Sequence, residues 1–463
     1  MANSEIKIQI AGWLLDPDHP KRFLDSSLAA LELELKKQGL EKIYSEIELP
    51  LAEILEEMHQ VGIKVDLDFL KKLSVKAAKE LGQMTKRIYE LAGAPFNLNS
   101  PKQLSEILYE KLKIDFKGVP KTKTGLRTTD AEALETIKAR HPVVALILDY
   151  RELFKIYSTY IEPLRNLAGP DGRVRTTFLQ TNTATGRLSS QNPNLQNIPA
   201  PKGRGSPRSE SGRPIIDYGE AIRKAFMSEE NYSLVAFDYS QIELRVLASV
   251  SDDERMIGAF KKGLDIHALT ASNVYNVDIS KVTPEMRRFA KTLNFGVVYG
   301  MGPDAFARAS GLSREEAQTF IAEYFNDFQE IKRWQEKTIQ AARDFGYVEN
   351  LNGRRRILEN IGSSNRRFAA EAERMAINMP IQSLAADIIK IAMIRVAKIF
   401  KDQGLWMNKV RLLLSIHDEL LLEISDDILK EVIPLIEKEM GLAFELKVPL
   451  KVDLAYGKNW AEL

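Results

Sequence analysis

The chain contains no cysteine, and only five of its 463 residues are histidine. The first absence excludes disulfides, thiolate metal sites and a thiol nucleophile. The second leaves little from which to build a histidine-based zinc centre. Nowhere do eighteen apolar residues run together, and the opening MANSEIKIQI lacks the basic-then-apolar order of a secretory signal. A soluble, cytoplasmic protein with no membrane partner is therefore expected. Excess charge of either sign is also missing, since 65 Lys and Arg face 64 Asp and Glu. Any groove for a charged polymer must come from local placement of charge. With 44% hydrophobic residues, a chain this long can build roughly two to four domains or subdomains.

What is present concentrates in three stretches. The first is Met286 to Met301, MRRFAKTLNFGVVYGM. Read as a helix, it sets Arg287, Lys291, Phe295 and Tyr299 at steps of four, each about 400° of rotation, so they form one drifting stripe. Two cations suit the oxygens of a polyphosphate, and two aromatics suit a base or sugar. The stripe thus has the polarity of a nucleotide lying along a helix. An ordinary amphipathic helix, with solvated cations and core aromatics, has the same spacing. Gly296 and Gly300 would each cost such a helix roughly 1 kcal/mol, a cost that close approach of another backbone or a base would explain.

The other two stretches place carboxylates at the ends of apolar strands. Leu234 to Phe237 leads into Asp238, and LLLSI and LLLEI flank His417-Asp418-Glu419 as a predicted hairpin. An unpaired carboxylate beside a buried sheet is costly unless a cation neutralises it. Two of them about 4 Å apart at an effective dielectric of 20 would repel by roughly 4 kcal/mol. A pair of divalent ions removes that cost and suits in-line phosphoryl transfer, and hard oxygen ligands favour Mg²⁺ over zinc. Alternatively, Asp238 caps the following helix and Asp418 is a turn residue.

Elsewhere the chain reads simply. Residues before about Leu49 are a turn-rich piece and one helix, too little for a domain. Pro50 opens a helix closed by Gly62, and the helical pattern continues to about Leu164, with caps expected at Ser100-Pro101 and Thr129-Asp130. Between those caps lies a short basic loop with Lys117, Lys121, Lys123 and Arg127, either a solvated turn or a contact for a phosphate backbone. From Gly172 the segment RVRTTFLQTNTATGRLSSQNPNLQNIP is rich in amides and hydroxyls around Arg175 and Arg187, material for contacts rather than core. Residues 201–214 read as a flexible basic loop. Phe368 to Phe400 is a long helix with a kink or break expected at Pro380.

Taken in order, VAFDYSQIELRVLA, RRFAKTLNFGVVYG and IHDELLLE closely resemble the three polymerase motifs of the family A DNA polymerases, in their Klenow-type polymerase portion. TATGRLSSQNPNLQNIP and RMAINMPIQ add to the likeness, which runs from about Pro50 to the C-terminus. The resemblance implies an α+β right-hand fold with an antiparallel-sheet palm and mainly helical fingers and thumb. Its expected divisions are an exonuclease-like remnant at 1–49, a thumb at 50–170, palm at 171–245 and 365–463, and fingers at 246–364. It implies a DNA-templated DNA polymerase that adds deoxynucleotides to a primer 3′-hydroxyl with two Mg²⁺ ions, acting as a monomer on primer–template DNA.

By the same likeness Asp238, Asp418 and the Tyr239 carbonyl hold the metals. Arg287 and Lys291 bind the triphosphate with His267 and Gln241, and Phe295 stacks on the nucleotide. Tyr299 sits by the templating base, and Glu243 excludes a ribose 2′-hydroxyl. Arg187, Asn194, Gln196 and Asn197, together with Arg374, Asn378 and Gln382, contact DNA, while His417 and Glu419 lie near the primer end. No Asp-x-Glu pair precedes the thumb, so proofreading is expected to be absent. A single-subunit RNA polymerase would share the metal aspartates and the basic helix, but the Glu243 context argues against it. Intact Asp238, Asp418 and Lys291 argue against a catalytically silent DNA-binding module.

Overall fold

The computed structural model describes residues 4–122, 125–199 and 217–463, and the chain divides into two compact units. The basic loop expected at 201–214 lies outside the described residues, as does Lys123. Among the described residues no helix is long and apolar enough to cross a membrane.

The first unit comprises Met1–Val61, Thr177–Gln191 and Val235–Ala455. At its centre is a four-stranded sheet, in the order Val452–Gly457, Tyr232–Tyr239, Glu419–Ser425, Val410–Ile416. The last two strands are the predicted hairpin. They pair antiparallel with Ile416 opposite Glu419, so His417 and Asp418 alone make the turn. Leu412 to Ile416 and Leu420 to Ile424 are buried without alternation, as expected of a sheet covered on both faces. Along the central strand burial is unbroken from Ser233 to Phe237, and Asp238 is where it stops. Tyr239 is buried again, and its hydroxyl donates to the Met440 carbonyl at 2.7 Å, pinning the strand end.

The long helix runs from Arg366 to Asp402 without interruption at Pro380, so of the expected kink or break the break is absent. Proline removes one backbone donor, but Ala376, Ile377, Met379, Ile381 and Leu384 around it are all buried. Their burial outweighs one lost hydrogen bond.

The N-terminal piece also differs from its reading. It begins with a helix, Ser4–Leu15, before the helix Leu28–Lys37. Ile10 to Leu15 are buried consecutively, and a helix end enclosed all round carries no periodic stripe by which to recognise it. Trp13 lies at the middle of a core with Leu14, Leu31, Leu35, Leu40 and Ile43. The next segment adds Glu48 to a buried charged quartet with Arg354, Asp387 and Lys390.

The second unit comprises Gly62–Thr176, Asn192–Leu234 and Tyr456–Leu463. Its helices include Leu67–Ala92 and Pro142–Ile156. Two expected caps are present: Ser100 accepts from the Gln103 N–H and Asp130 from the Ala133 N–H. A small sheet places Ile63–Val65 between Arg173–Val174 and Phe226–Met227. Asn194 caps the short turn Leu195–Asn197, whose Asn197 carbonyl accepts from the Tyr160 hydroxyl.

Candidate active site

The two motif aspartates come together in the first unit. Asp238 stands at the end of the central strand and Asp418 in the turn of the neighbouring hairpin, and the Tyr239 N–H donates to the Asp418 carbonyl at 3.1 Å. Asp238 therefore does not cap the following helix, whose N-cap is Gln241. Its carboxyl is pushed up to about 6, first by desolvation, then by Asp418 and Asp453. The Asp418 carboxyl is also raised by burial, against the pull of Arg187. These are first the shifts of carboxyls withdrawn from water, with like charge adding to the effect at Asp238.

Strain and unsatisfied polarity surround the pair. Gln241 and His417 follow or precede the aspartates with φ of 55° and 54°, a left-handed conformation unusual for such residues. Gln241 Oε1 is buried without a partner, as is Asn378 Oδ1 on the long helix. Glu419 opens the second hairpin strand beside Asp418. His417 is held below its ordinary value by its surroundings and by Arg187.

The donor chemistry is that of a hard divalent cation. Among the described residues no group of three or more His, Cys, Asp or Glu is arranged to hold a metal. Two carboxylates with a strand-end carbonyl suit an ion that retains water and takes further ligands from substrate phosphates.

Close to Asp418, four residues to which the resemblance gave three different tasks form one network. Glu243 is 3% exposed. It pairs with Arg187 and accepts from the Tyr299 hydroxyl at 2.9 Å. Burial raises its carboxyl more than Arg187 lowers it. Tyr299 is pushed up to about 12 by burial and then by Glu243, and also bonds Gln382.

The stripe helix spans Pro284–Val298, shorter than the sequence suggested. Thr283 caps it by accepting from the Met286 N–H at 3.2 Å. Tyr299 is the C-cap residue, and Gly300 follows at φ +64°. Gly300 thus ends the helix rather than weakening it, as left-handed glycines commonly do. It also lies tight against the long helix, where an added Cβ would come within 2.7 Å of Ile377 Cδ1 and 3.1 Å of Arg374 Cγ. Within the helix, a Cβ on Gly296 would meet Met301 Sδ at 3.3 Å.

At the cationic end Lys291 is exposed. Arg287 already has a partner, for its Nε donates to Asp265 Oδ2 at 2.6 Å. Asp265 caps the helix Ile266–Val274 by accepting from the His267 and Ala268 N–H groups. His267 is buried, with its ring centre 5.9 Å from that of Phe295 and its Nδ1 3.0 Å from Asn294 Nδ2. Its pKa is depressed to about 4, chiefly by burial, with Arg287 and Lys291 adding to the effect and Asp265 opposing it. Sequence reasoning missed Asp265 and Asn294. An Asp opening a helix is a common cap signal, and a lone Asn on a helix gives no sign of burial.

Arg374, Asn378 and Gln382 lie along a partly open face of the long helix. Asn194, Gln196 and Asn197 belong to the second unit.

Residues 67–462 match the profile of DNA polymerase family A, and the chain belongs to that family. Its fold is the family's α+β polymerase fold. Over 443 residues, 96% of this chain and 49% of the relative, it is 45% identical to DNA polymerase I of Caldicellulosiruptor bescii. It is 44% identical to the thermostable DNA polymerase I of Thermus aquaticus over 419 residues, 90% of this chain and 48% of the relative. The chain thus spans about half the length of these curated relatives. Among solved structures it resembles the polymerase domain of Pol1 from M. smegmatis in complex with DNA primer-template and dNTP. That match has a TM-score of 0.89 and 37% identity, covering 98% of this chain and 82% of the other.

Proposed function

We propose that this chain is a DNA-templated DNA polymerase that extends a primer 3′-hydroxyl with deoxynucleoside triphosphates. The observation that carries the reading is the pairing of Asp238, at the end of one strand, with Asp418, in the turn of the neighbouring hairpin, in one compact unit with a cationic–aromatic helix. Membership of family A and the likeness to a primer–template complex support it.

In this reading Asp238, Asp418 and the Tyr239 carbonyl hold two Mg²⁺ ions. Bound there, the ions would lower the pKa of the attacking hydroxyl and shield the departing pyrophosphate. The chain's own residues do the rest. Arg287 exchanges Asp265 for phosphate oxygens, and Lys291 and His267 add donors. Phe295 stacks on the nucleotide, and the Gln241 side-chain amide donates from its NH2 group to the triphosphate. Glu243, fixed by Arg187 and Tyr299, crowds a 2′-hydroxyl and selects deoxyribose. Arg187, Asn194, Gln196, Asn197, Arg374, Asn378, Gln382, His417 and Glu419 hold primer and template, mainly by backbone and minor groove.

The proposal assigns 50–170 to a thumb, 171–245 and 365–463 to the palm, and 246–364 to the fingers of a cytoplasmic monomer. It assigns these residues primer extension rather than proofreading. Primer extension with Mg²⁺ and the four deoxynucleotides tests it directly. Asp418→Asn should still bind primer–template yet lose extension, and full activity in that variant would reject the metal assignment.

A further inference from the structure

His267 sits in a chain of buried polar groups that the proposed site does not require. Thr270, Asn294 and His267 are all buried, Thr270 and Asn294 completely. The Thr270 hydroxyl donates to Asn294 Oδ1 at 3.1 Å, and Asn294 Nδ2 lies 3.0 Å from His267 Nδ1. Thr270 is one turn along the same helix as His267, while Asn294 lies on the stripe helix, three residues past Lys291 and beside Phe295. The chain therefore ties the helix bearing the histidine to the helix bearing the cations.

The direction of these bonds has a chemical consequence. An amide offers hydrogens from one end and lone pairs from the other. With Asn294 Oδ1 occupied by the Thr270 hydroxyl, its Nδ2 presents a hydrogen to the ring. Nδ1 must then accept, and the single proton of a neutral imidazole resides on Nε2, the far edge of the ring. The reversed amide would place the proton on Nδ1 and turn a lone pair outward at Nε2, a poor partner for any oxyanion.

We propose that Asn294, oriented by Thr270, is a positioning residue that fixes His267 as the Nε2–H tautomer, making it an uncharged hydrogen-bond donor to the triphosphate. The placement of His267 at the triphosphate rests on the function proposed above, whereas the tautomer does not. Burial and the neighbouring Arg287 and Lys291 disfavour the imidazolium, so the neutral form is the relevant one and its tautomer decides what the ring can do. A neutral donor also avoids burying a charge beside Arg287 and Lys291 that would have to be neutralised whenever pyrophosphate leaves.

The test uses the full chain. With only five histidines present, the ring nitrogens of His267 can be assigned in a nitrogen-15 spectrum by their loss in His267→Leu. The expected result at neutral pH is a protonated Nε2 and a bare Nδ1. In Asn294→Leu, which keeps the side-chain size and removes the amide, the two tautomers should mix. Thr270→Val, a milder isosteric change, should shift the same signals in the same direction while the melting temperature stays close to that of the parent.

In primer extension, Asn294→Leu should raise KM for a deoxynucleotide about three- to tenfold with kcat little changed, the size of one weakened hydrogen bond to a charged oxygen. A proton on Nδ1 in the parent overturns the inference whatever the kinetics. So does a KM that rises in His267→Leu but not in Asn294→Leu. If KM is unmoved in His267→Leu itself, the placement of the ring at the triphosphate fails, and the spectrum alone decides the tautomer.

Discussion

The Tyr299 hydroxyl donates to Glu243 Oε2 at 2.9 Å, and Arg187 holds the other carboxylate oxygen. A 3%-exposed carboxylate gripped on both oxygens cannot swing aside, and a rigid wall is what a steric test of the sugar needs. Glu243→Ala should therefore lower the preference for deoxy- over ribonucleotides by about a hundredfold, the upper range for exclusion by shape alone. Tyr299→Phe should lower it about three- to tenfold by freeing one oxygen, with no further loss when added to Glu243→Ala. The ratio of kcat/KM values for the two sugars measures this, and an unchanged ratio in Glu243→Ala would count against the gate.

Burying His267 makes stability depend on pH. Its folded pKa of about 4 lies below the ordinary 6.5, so between those values the unfolded chain binds the extra proton. The contribution is fully present above about pH 6.5 and is lost as pH falls toward 4. Over that window it is on the order of 2–3 kcal/mol. Denaturant midpoints across this range should fall less steeply for His267→Leu than for the parent. Parallel curves would show that the ring titrates normally.

Glu48, Arg354, Asp387 and Lys390 form a nearly solvent-free quartet of two negative and two positive charges, and Trp13 lies 5.1 Å from both cations. Lys390 Nζ donates to Glu48 at 2.8 Å, and Arg354 bonds both carboxylates. Lys390→Met would leave one buried negative charge unmatched and should cost about 3–5 kcal/mol. Replacing Glu48 by Gln in the same variant restores neutrality and should recover part of that loss. Equilibrium unfolding in urea resolves the two, and equal stability of both variants would refute charge balance as the cause.

Gly300 combines a left-handed backbone with close packing on Ile377. Gly300→Ala should destabilise the protein by about 1–3 kcal/mol, and Ile377→Val, which removes the atom 2.7 Å from the new Cβ, should return part of it. Melting curves of the single and double variants suffice. Strictly additive losses would mean that the clash contributes nothing.

The sequence alone marked where charge interrupts apolar runs and where cations and aromatics share a helical spacing. Asp238 and the His417–Asp418 turn were legible because charge interrupts apolar runs, and such an interruption is costly beside a buried sheet. The cationic–aromatic stripe was legible because helical spacing is local. The N-terminal helix was not, since its enclosed end shows no period, and neither was the helix end at Tyr299, where Gly300 was read as an interior residue. Only the tertiary structure brought Asp238 beside Asp418, joined Glu243 to Arg187 and Tyr299, and gave His267 its Asn294 partner. Those relations depend on strand order and helix packing between distant segments, and no local pattern of residue types records them.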